Sequence, residues 1–381
     1  MFKIDEKEIV KLTCDLIRKR TVNPPGNEYL TKEIVIGAMK KLGMKIEIKE
    51  KKKGRTNVIG RVGREKPSIA LISHMDVVPA GEGWKTDPFN PIIKNGKIFG
   101  RGSLDNKGMF ATSCAAIKIF LKKHSKFKGT IFLLAVADEE VGSELGMKWL
   151  LDEGFKVDFA IIPDSGLLNK AIIGEKGLLW LKITSFGKQA HGSTPNLGIN
   201  AIEKLAKLIL RLQKIDFGKG FNSAFNPTTL NIGQIEGGYA PNIVPARATV
   251  RIDIRYPLGI KKEDILRKIN KEIKKLKKED PRSNFKLEIQ EAKIPHLVSK
   301  NSPLCKKFLQ AAKELKIPME LTTVGGITVG KEMFFAGIPS ICHYPTKKEL
   351  AHMANEYVEV KNLVKSAELY ALTLEKLIFQ T

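Results

Sequence analysis

TIFLLAVADEEVGS, residues 130–143, decides how this chain folds. Its first seven residues are apolar and rich in branched and aromatic side chains, the composition of a strand buried on both faces. The run then ends in three acids, Asp138, Glu139 and Glu140. Carboxylates are seldom buried without partners. Either the strand surfaces there, or something positive sits at its end.

Two similar runs lie on either side. PSIALIS (67–73) leads into His74-Met75-Asp76, and VDFAIIP (157–163) leads into Asp164. Helical patterns separate them: NKGMFATSCAAIKIFLKK (106–123) and a shorter one near 143–153. Strands alternating with helices of this length predict an α/β fold, a mostly parallel sheet with helices on both faces. In such sheets ligands bind beyond the carboxyl ends of the strands. Three strand ends thus gather His74, Asp76, Glu139, Glu140 and Asp164, and Asp105 lies in GRGSLDNKG (100–108), a glycine-rich turn before a helix.

The chain of 381 residues is long for one domain, so two are expected. Amphipathic helices at 5–19 and 26–42 flank the turn cluster TVNPPGNE, and strands follow at MKIEIKE and TNVIGRV. From about 176 to 293 the pattern changes. Strand LLWLKITSF, helix INAIEKLAKLILRLQ, strands TTLNIGQIE and RATVRIDIRY, a lysine-rich helix and strand FKLEIQEA give the order βαββαβ, the ferredoxin-like arrangement. Helix and strand then alternate again to a final helix from about 360. The economical organisation is an α/β domain over 1–175 and 294–381 with a ferredoxin-like domain, 176–293, inserted into it.

Composition excludes several classes. The first residues, MFKIDEKEIVKLTCDL, lack the apolar core of a secretory signal. No stretch approaches the roughly 18 apolar residues of a membrane span. Cys14, Cys114, Cys305 and Cys342 form no CxxC motif, as expected of free thiols in a reducing cytoplasm. The net charge of +24 raises nucleic-acid binding, but the lysines are dispersed rather than gathered into an arm or stripe. In 261–278, Ile265, Leu266, Ile269, Ile273 and Leu276 share one helical face and the lysines occupy the other.

Taken singly, each acid has an ordinary explanation. The three acids after the strand suit a solvated end near the next helix's N-terminus, Asp105 an N-cap for a helix starting at Asn106, and Asp164 a turn residue in PDSG. His74 alone reads as a polar residue at a sheet edge. Their coincidence at one end of one sheet weighs against this. Clustered carboxylates repel and raise one another's pKa; divalent cations resolve the conflict. Histidine with several carboxylates suits zinc, cobalt or manganese better than calcium, and this ligand count fits two ions bridged by one carboxylate.

On these residues the chain resembles the dinuclear-metal amidohydrolases that include acetylornithine deacetylase, succinyl-diaminopimelate desuccinylase, aminoacylase, glutamate carboxypeptidase and the PepV-type and carnosinase-type dipeptidases. The most specific stretch is SHMDVVPAGEGWKTDPFNPIIKNGKIFGRGSLDNKG (73–108). ADEEVGS, PDSG, KQAHGSTPNLGINA, APNIVP, VGGITVGK and AHMANE follow in the family's order. The resemblance implies a catalytic α/β domain with an inserted lid and dimerisation domain. It implies that His74 and Asp164 hold one divalent metal ion, Glu140 and His352 the other, and that Asp105 bridges them, with zinc first and cobalt or manganese as alternatives. Asp76 would hydrogen-bond the His74 imidazole. Glu139 would be the general base, moving a proton from the attacking water to the leaving amine.

The resemblance further implies that His191 stabilises the oxyanion, supplied by the partner subunit of a homodimer. Asn242 and Arg255 match lid residues that contact substrate, and Arg255 reads equally well as a structural strand residue. In VGGITVGK, Lys331 stands where the family carries a carboxylate-binding arginine; it keeps the charge but loses the two-pronged fit. His124, His296 and His343 carry no expected role. The expected reaction is hydrolysis of an amide bond in a dipeptide or N-acyl amino acid, with desuccinylation or acetylornithine-type deacylation as the alternative. The expected partner is a small-molecule substrate, without nucleic acid or membrane. A catalytically dead scaffold is disfavoured because every metal and base position is filled.

Overall fold

The computed structural model describes residues 4–221, 225, 227–346 and 350–379. The chain divides into two compact units: Met1–Ile173 with Val298–Thr322 and Ile327–Thr381, and Gly174–Leu297 with Thr323–Gly326.

In the first unit the apolar runs become neighbouring strands. Thr130–Val136, Ser68–His74, Phe159–Ile162 and Ser340–Cys342 lie side by side, each parallel to the next. His74 is in register with Val136, so these two strands end level. Nearly every residue of both is buried, as the continuous apolar composition requires. The sheet turns antiparallel toward its edges: Lys45–Glu50 pairs Thr56–Gly63, which pairs Thr130–Val136, and Lys170–Glu175 meets Ser340–Cys342 on the other side. The helix Lys107–Lys123 packs against Val360–Ile378, which packs against Pro303–Glu314. Glu6–Ile17 joins this layer, and its start is capped by Asp5, whose carboxylate accepts the N–H groups of Lys7 and Glu8.

Three short strands, Ile92–Lys94, Lys97–Phe99 and Tyr357–Glu359, form a separate antiparallel sheet that the sequence reading did not anticipate. They tie the segment before Asp105 to the segment after His352. The helix expected from Asn106 begins at Lys107, and Asn106 makes no capping bond; its side-chain amide donates to the Pro163 carbonyl instead.

The second unit has four antiparallel strands in the order Thr229–Gly237, Arg247–Tyr256, Gly177–Phe186, Asn284–Lys293. With helices Ala201–Leu212 and Lys262–Glu279 this is a βαββαβ unit. Leu179, Leu181, Ile183, Val250, Ile252 and Ile254 from the central strands pack with Leu205, Leu208, Ile265 and Ile269 from the helices. Ile265, Ile269 and Leu276 are buried in the lysine-rich helix, whose polar face is solvated. No helix among the described residues is long and apolar enough to cross a membrane.

Candidate metal centre

Parallel strands ending together carry their following residues to one place. His74 closes Ser68–His74, Glu139 and Glu140 form a short turn after Thr130–Val136, and Asp164 follows Phe159–Ile162 by two residues. Asp105 enters from the turn before Lys107–Lys123, and His352 from the loop before Tyr357–Glu359. Gly108 permits that turn to close: a Cβ there would lie 2.0 Å from the Ser103 carbonyl oxygen.

The donor atoms fall into two groups, His74 with Asp105 and Asp164, and Asp105 with Glu140 and His352; within each group the atoms lie within 4.8 Å of one another. Asp105 is common to both. His74 Nε2 lies 3.0 Å from Asp105 Oδ1, His352 Nε2 lies 3.2 Å from Asp105 Oδ2 and 3.0 Å from Glu140 Oε2. Glu139 stands in neither group, with Oε2 4.0 Å from His74 Nε2.

The electrostatics are those of buried carboxylates crowded together. Burial, then the nearby Asp164 charge, pushes the Glu139 carboxyl well above its ordinary range. Burial and Asp105 raise Glu140, and burial and Asp105 push Asp164 up to about 7. For Asp105 burial acts upward too, but the imidazoles of His352 and His74 overcome it and hold the carboxyl low. Contact with Asp105 and then Glu140 pushes His352 up to about 10. Glu140 Oε1 is buried without a hydrogen-bond partner among the described residues, which is costly unless something else fills that role. Two imidazoles, three carboxylates of which Asp105 is shared, and an orphaned buried oxygen fit two divalent cations.

The surrounding contacts differ from expectation in three places. The His74 Nδ1 contact at 3.0 Å is to the backbone carbonyl of Asp76, while the Asp76 carboxylate stands at 3.5 Å. That carboxylate accepts the N–H groups of Glu139 and Glu140, and the side-chain amide of Asn23, so it fixes the base-bearing turn. Asp138 is not solvated: Arg55 Nη2 donates to it at 2.8 Å while also gripping Glu28. Tyr344, two residues beyond Ser340–Cys342, donates its hydroxyl to Asp164 Oδ1 at 3.1 Å. The strand-end rule applied to the fourth parallel strand would have found Tyr344; no local signal marks Arg55 or Asn23.

The expected substrate contacts fall into both units. In the second, His191 and Asn242 are brought together, with the Gly192 N–H donating to the Asn242 carbonyl at 2.7 Å, and both side chains are exposed. His191 Nδ1 engages Ser193. Arg255 holds Asp253 through two nitrogens and donates to the Gly325 carbonyl. In the first unit Lys331 is only 1% exposed, in the first turn of Val329–Phe335. His343 is structural: it is buried, with Nε2 near the Leu168 carbonyl and Nδ1 on the Tyr370 hydroxyl, and burial pushes it down to about 4.

Residues 70–376 match the sequence model of peptidase family M20/M25/M40. An uncharacterised metallohydrolase of Methanocaldococcus jannaschii is 34% identical over 406 aligned positions, covering 96% of this chain and 98% of that protein. Succinyl-diaminopimelate desuccinylase of Orientia tsutsugamushi is 30% identical over 383 positions, covering 96% and 95%. A tripeptidase from Staphylococcus aureus superposes with a TM-score of 0.81 at 24% identity, covering 99% of this chain and 100% of that one, which speaks to the fold. This chain belongs to peptidase family M20/M25/M40 and is a metal-dependent hydrolase of amide bonds.

Proposed function

We propose that the chain hydrolyses the amide bond of a dipeptide or N-acyl amino acid at a centre that holds two divalent metal ions, with Glu139 as general base. The observation that carries this reading is the pair of donor groups sharing Asp105, with an unused carboxylate, Glu139, beside them. Ions held by His74, Asp105 and Asp164 and by Asp105, Glu140 and His352 would lower the pKa of a water toward about 7 and polarise the scissile carbonyl. Glu139 takes a proton from the attacking water and delivers it to the departing nitrogen, so that water and amide become carboxylic acid and amine. Asp76 holds Glu139 and Glu140 by their backbone amides, which keeps base and ligand apart on adjacent residues. Zinc suits this mixed imidazole and carboxylate set, with cobalt or manganese as alternatives.

Removal of metal with chelator is expected to abolish turnover, and resupply of zinc, cobalt or manganese to restore it. The assay panel holds dipeptides, N-acetyl-ornithine, other N-acyl amino acids and N-succinyl-diaminopimelate. Turnover that survives chelation sinks the metal-dependent mechanism. Preference for N-succinyl-diaminopimelate favours the second reading, desuccinylation, which the similarity to the Orientia enzyme supports.

The unit 174–297 serves in this reading as lid and dimerisation domain, and His191 stabilises the oxyanion from the partner subunit. Light scattering is expected to report a dimer. A monomer with full activity defeats that assignment. Four buried free thiols among the described residues suit a cytoplasmic enzyme.

A further inference from the structure

His352 reaches the site from the loop before Tyr357–Glu359. Its side chain is 56% exposed and its backbone is left-handed at φ 64°, a region that non-glycine residues adopt only when their surroundings impose it. Behind this loop lies a buried ion pair. Arg101 is 1% exposed and Glu356 is fully buried, joined by a 2.7 Å bond from Nη1 to Oε2.

Each partner then reaches the backbone of a metal-ligand residue. Arg101 Nη2 donates to the His352 carbonyl at 3.2 Å and to the Ala80 carbonyl at 3.1 Å, and Nη1 donates to the Met353 carbonyl at 3.3 Å. Glu356 Oε1 accepts the N–H groups of Gly102, Leu104 and Asp105 at 3.1, 2.8 and 3.1 Å. The Trp84 ring stacks beside the guanidinium, 5.2 Å from its carbon, and ties back to Ala80 through its indole N–H. One pair therefore spans the loop bearing His352 and the turn bearing Asp105.

Stability alone does not account for this. A buried ion pair seldom outperforms an apolar pair of the same shape, and Arg101 Nε finds no hydrogen-bond partner among the described residues. What distinguishes the pair is where its bonds go. A planar guanidinium can hold one carboxylate and several carbonyls at once; an ammonium cannot match that fork.

We propose that the Arg101–Glu356 pair positions His352 against Asp105 and Glu140 and thereby sets the affinity of the metal site those three form. The inference rests on the metal-dependent function proposed above. Residues that orient ligands typically change metal affinity about 10- to 100-fold when replaced.

The test is equilibrium dialysis of the full chain against graded zinc, with ions per chain counted by mass spectrometry. The variants are Arg101→Lys, Glu356→Gln and the charge-free double variant Arg101→Met/Glu356→Gln, which covers failure of a single variant to fold. His352→Ala supplies the one-ion benchmark. Phe308→Ala, a truncation of a buried core side chain elsewhere, supplies a destabilised control. The expected result is the ion of the His352 group weakened about 10- to 100-fold and the other, linked to the pair only through Asp105, weakened much less, with kcat restored by excess zinc and KM little changed. Two ions at wild-type affinity in these variants, or two affinities that fall together as in Phe308→Ala, overturn the positioning role alone. A wild-type chain that binds no metal overturns the proposed function and this inference with it.

Discussion

Glu139→Gln is expected to lower kcat by about 10²- to 10⁴-fold, the usual contribution of a positioned general base, while both metal ions stay bound. Glutamine keeps the length and hydrogen-bonding capacity of the side chain but cannot accept a proton. Glu139 lies outside both donor groups, whereas its neighbour Glu140 lies in one of them, so adjacent substitutions should separate the two roles. Glu140→Gln loses a charged ligand at the His352 site, and metal content falls with activity. Steady-state kinetics paired with metal analysis of each variant decides the matter. If Glu139→Gln keeps a wild-type kcat, or loses an ion, the division of labour between the two glutamates is wrong.

How much of this was legible beforehand depends on the distance over which each feature is written. The parallel strands were readable because a buried strand is a local run of apolar residues, and their ends follow from parallelism. That placed His74, Glu139, Glu140 and Asp164 at one end of the sheet, where Asp105 and His352 join them. The hairpin Ile92–Lys94 and Lys97–Phe99 was not readable, since three residues are too few to display a period. Asp76 shows a subtler limit. Its proximity to His74 was implied by the motif, yet its carboxylate serves the amides of residues 139 and 140, and its backbone carbonyl makes the tighter contact with His74. A motif records which residues are near one another, not which atoms touch. The partners of Arg55 lie 27 and 83 positions away, and pairing at that range leaves no pattern along the chain.

Arg55→Met is expected to destabilise the protein by about 3–5 kcal/mol, the cost of leaving a buried charge without its partner. Arg55 donates Nε and Nη2 to the two Glu28 oxygens at 2.7 Å each, and Nη2 also reaches Asp138 at 2.8 Å. All three side chains are buried, so water cannot take over when the guanidinium is removed. The packing is close enough to demand glycine alongside: Gly26 has φ 102°, and a Cβ there would stand 2.3 Å from Arg55 Nε. In a domain of this size roughly 2–4 °C of Tm is lost per kcal/mol, so the melting temperature should fall by roughly 6–20 °C. Adding Glu28→Gln and Asp138→Asn to the same chain removes the stranded charges and should recover part of the loss, because breaking a buried pair costs more than deleting it. The effect should extend to catalysis. Asp138 immediately precedes Glu139, sits at φ 68°, and shares Asn23 with Asp76, so loosening Asp138 lets the base-bearing turn shift. A loss below about 1 kcal/mol, the range of an exposed ion pair, would mean that water reaches this cluster. The three acids after the buried strand would then no longer divide into one held by arginine, one in a donor group and one left free as a base.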